Sequence, residues 1–147
     1  MRETLSPQPR MLINPAGTEG LYTTWQFSQG VRVGEMIWTA GQLGVDGEGR
    51  FGTTLEEQAR LAFINLRSVL EAGGSSLADV VELVTYHLAM DELPHFAAVK
   101  AEFFPQNYPT WTVVGVTALA LPELLVEVKA VAVVGSGLPQ NAEPADA

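Results

Sequence analysis

The chain has 147 residues, enough for one domain, and 47% of them are hydrophobic, enough to fill a core. It has no Cys, which excludes disulfides, thiolate catalysis and Cys-ligated metals. Its net charge is −9, with 8 scattered Lys and Arg, which argues against a nucleic-acid partner, and no apolar run is long enough to span a bilayer.

Residues 1–20, with several Pro and Gly, read as an extended lead-in. Residues 22–33 read as a first strand and residues 36–40 (MIWTA) as a second, joined in a hairpin over Gly34-Glu35. Residues 44–52 are a Gly- and charge-rich loop with no Walker or Rossmann pattern, so phosphate cradling is not expected. Residues 54–72 carry the clearest helical pattern. Thr54 and Glu57 fit a capping box, Leu55, Ala59, Ala62, Leu66, Val69 and Leu70 form one apolar stripe, and Gly73-Gly74 supplies the stop.

Residues 75–79 lead into a third strand, 80–88. A second helix is expected from about Asp91, with Pro94 in its first turn, Leu93, Phe96 and Phe103 on an apolar side, and Pro105 at its end. Residues 111–117 and 125–134 read as two strands joined by a Pro-containing turn; β-branched residues in short runs favour strand. Residues 135–147 form a polar tail expected to be disordered. With no basic region preceding a hydrophobic segment, the expected location is the cytoplasm, with no membrane partner.

The order is β-β-α-β-α-β-β, an α+β domain over residues 21–134 with two helices on one face of one sheet. The strands are apolar on both faces, so the uncovered face calls for oligomerisation. Glu127 and Lys129 interrupt the last strand two residues apart and therefore share a face. Charges there mark either a wetted rim or a polar pocket wall.

The segments FSQGVRVGEMIWTAGQL, TLEEQARLAFINLRSVLEAGGSSLADVVELVTYHLAMDEL, AEFF, PTWTVVGV and LVEVKAVAVV resemble the Rid/YjgF family from about Asn14 to Val134. The resemblance implies a chorismate-mutase-like fold and a homotrimer with sheets facing inward and three clefts between neighbouring subunits. It also implies hydrolysis of imines and enamines to a carbonyl compound and ammonia, without metal or cofactor. The family's water-activating Glu falls on Glu127. Its hallmark Arg, which holds the substrate carboxylate in Pro-x-Arg-Ser/Thr, falls on Trp111 of Pro109-Thr110-Trp111-Thr112, and an indole cannot replace a guanidinium fork. The second Glu of the family's V-E-I-E-A pattern is Lys129, the ligand-side Tyr is Phe27, an Asn common on the second helix is Ala97, and the ligand-facing Gly is Gly41.

The candidates are thus Glu127 as the catalytic group, with Trp111, Thr112, Phe27, Gly41 and Lys129 around a small-molecule ligand. The competing reading of Glu127 is a structural ion pair with Lys129 or a neighbour's Arg; that of Trp111 is core filler. Lys129 is the candidate to replace the missing cation, as a point charge. His87 and His95 have no partner at a telling spacing and read as ordinary packed or surface residues, and no metal-ligand spacing is present. Two functions fit: an imine or enamine deaminase working without the Arg–carboxylate mode, or a non-catalytic trimer that binds a small molecule. The ribonuclease activity sometimes attached to the family conflicts with the acidic balance.

Overall fold

The structure is a computed structural model that describes residues 6–137. In chain order its elements are β1 (Met11–Ile13), α1 (Glu19–Trp25), β2 (Gly30–Val33), β3 (Met36–Thr39), β4 (Gln42–Leu43), α2 (Leu55–Ala72), β5 (Val80–His87), α3 (Leu93–Phe103), β6 (Thr110–Gly115) and β7 (Val126–Val133). The strands form one sheet in the order β1-β2-β3-β7-β5-β6, with β4 also pairing β7. Only β5 and β6 run parallel, because α3 carries the chain back between them. Among the described residues, no helix is long and apolar enough to cross a membrane.

The expected strand over residues 22–33 is two elements. Glu19–Trp25 is helical, ended by Gln26 in the left-handed region at φ 58°, and strand pairing starts at Gly30. No residue of α1 is buried, so no deep apolar stripe betrayed it. The lead-in is not wholly extended coil either: Met11–Ile13 pairs with β2, and Ile13 is a core residue.

The long helix forms where expected. The Thr54 hydroxyl accepts from Glu57 N at 3.2 Å, while the Glu57 carboxylate caps Thr53, one residue earlier than a standard capping box would have it. At the other end Ser75 N–H returns to Leu70 O and Gly74 N–H to Glu71 O, with Gly74 at φ +85°. This is a Schellman close, and Gly74 supplies the conformation that a side chain would resist. Arg32 Nη1 donates to the carbonyl of Gly73 at 2.8 Å and ties this helix end to β2.

The core lies between the helices and one face of the sheet. Ala59, Ala62, Phe63, Leu66 and Leu70 of α2 and Phe96 and Val99 of α3 meet Ile37, Leu83, Val126, Val128, Ala130 and Ala132. Phe63 contacts Phe96, Phe103 and Phe104 with ring centroids 5.2–5.7 Å apart. In β7 the even residues are buried while Glu127, Lys129, Val131 and Val133 point the other way. Cross-strand partners share a face, so that second face also carries Leu12, Val31, Val33, Met36, Trp38, Val84, Tyr86 and Val114. Trp38 stays 43% exposed and Met36 40% exposed, so a broad apolar sheet face is left open by the single chain.

The expected disorder from residue 135 does not begin there. Asp79 accepts from Ser75 Oγ at 2.6 Å and from Gly137 N at 2.9 Å, and Ser136 Oγ donates to its carbonyl. The remainder of that expected tail, 138–147, lies outside the described residues. Burial would raise the Asp79 carboxyl, but hydrogen bonds from Ser75 and from the backbone of Gly137, Gly135 and Ser76 outweigh it and hold the group below its ordinary value. Its stabilising contribution is therefore complete above the ordinary carboxylate range and is lost as pH falls through the lowered value. Asp79→Asn is expected to lower the melting temperature at pH 7 by about 4 °C or more, from a loss of ~1 kcal/mol or more. The gap to wild type, followed by circular dichroism, should close in strong acid; a gap independent of pH would remove the charge from the account.

Candidate functional site

Between β3 and β4 the sheet edge is irregular. Trp38 pairs with Val131 and Gln42 with Val128, so four steps on one strand match three on the other, and one residue bulges out. Thr39 Oγ1 fills the resulting gap by accepting from Ala130 N at 3.0 Å. The bulged segment is fixed from behind: Ala40 N–H donates to Gln29 O, and Gln42 Nε2 donates to Gln29 Oε1 at 2.9 Å and to Ala40 O. This lays the backbone of Gly41 directly against the Glu127 side chain. A methyl group at residue 41 would overlap the Glu127 carboxyl.

Glu127 is half-buried on the open sheet face, and among the described residues no donor is hydrogen-bonded to its carboxyl. Burial pushes its acid group up, and the charge of Lys129 only partly opposes that. The two side chains do not come within ion-pair distance, so the structural salt bridge between them is absent among the described residues. A desolvated carboxyl without a partner has a proton affinity suited to exchange with water. Tyr86 lies directly across from Glu127 in the antiparallel pair and shares its face. Sequence reading missed Tyr86, because only the cross-strand register reveals the neighbour.

The remaining candidates fall into two groups. Phe27, 39% exposed, lies two residues before Gln29, whose side chain and carbonyl hold the Gly41 segment. Thr112 is exposed on the open face of β6, opposite Val84, whose other neighbour is Lys129. Trp111 is elsewhere. Its register with Leu83 puts it on the helix side of the sheet, where its Nε1 donates to Thr85 Oγ1 at 2.9 Å and its ring lies 6.1 Å from that of Phe96. Within one chain Trp111 and Glu127 therefore cannot line one wall. Lys100 of α3 places its ammonium 4.5 Å from the centre of the Trp111 ring.

His87 is the core residue expected of it, bonded to Thr85 Oγ1 at 2.7 Å, with burial pulling its basicity down. His95 is exposed beside Glu56 at 3.5 Å. Two recesses of the described surface, around Leu77, Phe103 and Pro105 and around Ser75, Asp79 and Val134, have other linings.

Residues 18–134 match the family model described as Endoribonuclease L-PSP. The chain belongs to the Rid/YjgF family. It is 34% identical over 113 residues to the RutC family protein YjgH of Escherichia coli K12, covering 76% of this chain and 86% of that one. It is 30% identical over 110 residues to the 2-iminobutanoate/2-iminopropanoate deaminase of Dermatophagoides farinae, covering 74% and 85%. A solved Mycobacterium tuberculosis member of the YjgF/YER057c/UK114 family superposes with a TM-score of 0.75 at 31% identity, covering 86% of this chain and all of that one. The Rid/YjgF fold thus carries the α+β architecture read from the strand and helix pattern.

Gly41→Ala tests the contact between Gly41 and the Glu127 side chain. The added methyl must displace the Glu127 carboxyl, because the bulge is pinned by Gln29 and Gln42 and cannot retreat. Ligand affinity or turnover is expected to fall by at least about tenfold, with the melting temperature moving far less, since the residue lies outside the core. Unchanged activity would mean that the carboxyl takes no part.

Proposed function

We propose that this chain is a Rid-type hydrolase that converts a small imine or enamine to a carbonyl compound and ammonia in the cytoplasm, acting as a homotrimer. The observation that carries the reading is Glu127: a half-buried carboxyl, raised by burial, without a hydrogen-bond donor among the described residues, and held over the backbone of Gly41. The family's named deaminase relative supports the reaction class.

In this mechanism the Glu127 carboxylate takes a proton from a water molecule as its oxygen attacks the imine carbon. Glu127 passes that proton to the nitrogen, giving a neutral carbinolamine. Glu127 then takes the carbinolamine hydroxyl proton and delivers it to the departing amine as the C–N bond breaks and the C=O bond forms. Water is consumed and ammonia released, and no redox partner is needed. The apolar open face supports assembly through Trp38, Met36 and Val131, and the separation of Trp111 from Glu127 supports a cleft built from two chains. One chain would supply Glu127, Gly41, Phe27 and Lys129, and the other the edge of β6. Cleavage of RNA is disfavoured by the net charge of −9.

The test generates imines in place with an amino-acid oxidase while semicarbazide intercepts whatever is not hydrolysed. Acceleration above the spontaneous rate is expected, at concentrations where light scattering gives about three times 15.8 kDa. A trimer that binds ligand yet leaves the spontaneous rate unchanged would establish the non-catalytic alternative.

A further inference from the structure

We propose that Lys100 and Trp111 form an anion-binding subsite that takes the carboxylate of a small planar 2-oxo or 2-imino acid. The identity of the acid rests on the deaminase reading above; the subsite itself rests on the following geometry.

Among the described residues, three of the chain's eight Lys and Arg side chains are held by oxygen acceptors. Arg32 holds the Gly73 carbonyl, Arg50 pairs with Asp46 and Glu48, and Arg60 pairs with Glu102. Lys100 has no carboxylate within ion-pair distance among the described residues, in a chain of 17 acidic and 8 basic groups. A surface lysine ordinarily extends its ammonium into water. This one is part-buried, with its ammonium over the indole at 4.5 Å, and burial pulls its basicity down. The ring face offsets part of the lost hydration and leaves the outward N–H donors free.

The floor beneath it is rigid. Trp111 Nε1 donates to Thr85 Oγ1, Thr85 is bonded to the buried His87, and Phe96 packs against both the His87 and Trp111 rings. The indole N–H is therefore already engaged, so Trp111 acts through its surface. An aromatic face repels an anion, so a carboxylate must meet the ammonium from the side away from the ring. The flat apolar part of the ligand can then lie beside the part-buried indole. A single ammonium on an aromatic wall suits a planar monoanion. Lys129, the cation favoured by sequence, sits on the opposite face of the sheet with Glu127.

The test is calorimetric titration of the intact protein with 2-oxobutanoate and, separately, 2-oxobutanamide. Wild type is expected to prefer the acid by about tenfold or more, the scale of one charge-assisted hydrogen bond. Lys100→Gln should abolish that preference, Lys100→Arg should retain most of it, and Arg50→Gln, which removes one positive charge from an exposed loop ion pair, should leave it within about twofold of wild type. Circular dichroism melts confirm that each variant is folded. Equal affinity for acid and amide, no binding of the acid by wild type at millimolar concentration, or a preference that survives Lys100→Gln or is lost in Arg50→Gln would each overturn the proposal. Binding is read without turnover. A protein that holds the acid through Lys100 and hydrolyses no imine refutes the catalytic reading alone, and one that turns imines over with Lys100→Gln binding like wild type refutes this subsite alone.

Discussion

Val128→Asp is expected to yield no folded protein, whereas Trp38→Glu should fold and fail to assemble. Sequence periodicity placed Val128 and Ala130 opposite Glu127 without saying which face meets the helices. The structure decides it: Val128 is fully buried and Ala130 is 4% exposed, both in the core on the side of β7 that α2 covers. A carboxylate there has no cationic partner within the core, and an unpaired buried charge destabilises by roughly 3–5 kcal/mol. Domains of this size are stable by only about 5–15 kcal/mol, and loss of the valine packing adds to the deficit. Trp38 lies on the other face at 43% exposure, where a carboxylate on a lone chain remains hydrated. Repeated in each copy of an inward-facing assembly, it would gather like charges in an apolar seam. Circular dichroism and light scattering separate the two outcomes. A folded Val128→Asp protein that is merely monomeric would mean the helices do not seal this face. Assembly of Trp38→Glu at the wild-type mass would mean that the open face is not the seam.

The two variants also show what could be read without coordinates. Glu127 and Lys129, two residues apart in an otherwise apolar β7, disclosed a shared face, and α2 declared both its ends through Thr54 and the glycine pair. The helix α1 did not, because seven residues with none buried leave no stripe to detect. Glu127 was legible as an ion in an apolar strand, and Gly41 only through resemblance, since its significance is a contact made by a bulge. Thr112 and Phe27 fall where a second chain could complete them. Within one chain Trp111 lies apart from Glu127, because parallel register with β5 turns it toward the helices, which sequence cannot show. Lys100 appeared in the sequence only as an interruption on α3. A basic residue one turn beyond Ala97, on a helix returning to the Trp111 strand, was the available signal.

Glu127→Gln should reduce imine hydrolysis by about 10²–10⁴-fold, the usual contribution of a positioned general acid–base group, while leaving ligand affinity within a few-fold. The amide preserves shape and removes proton transfer, and no hydrogen bond to the carboxyl among the described residues would be broken. As the base in water attack, Glu127 works only when ionised, so wild-type turnover should rise as pH climbs through its raised value. Burial is the main cause of that rise and Lys129 acts against it. Neutralising Lys129 therefore moves the carboxyl further up, and the rising limb for Lys129→Gln should lie at higher pH than for wild type. Stability carries the same sign: the folded state retains the proton more tightly than the unfolded chain, so this group opposes folding increasingly as pH rises from the ordinary glutamate range through the raised value. Glu127→Gln should thus become more stable relative to wild type as pH increases, even as it loses activity. A limb that stays in place in Lys129→Gln, or wild-type turnover independent of pH from the ordinary glutamate range upward, would assign proton transfer to another group, with Tyr86 across the strand next to be changed.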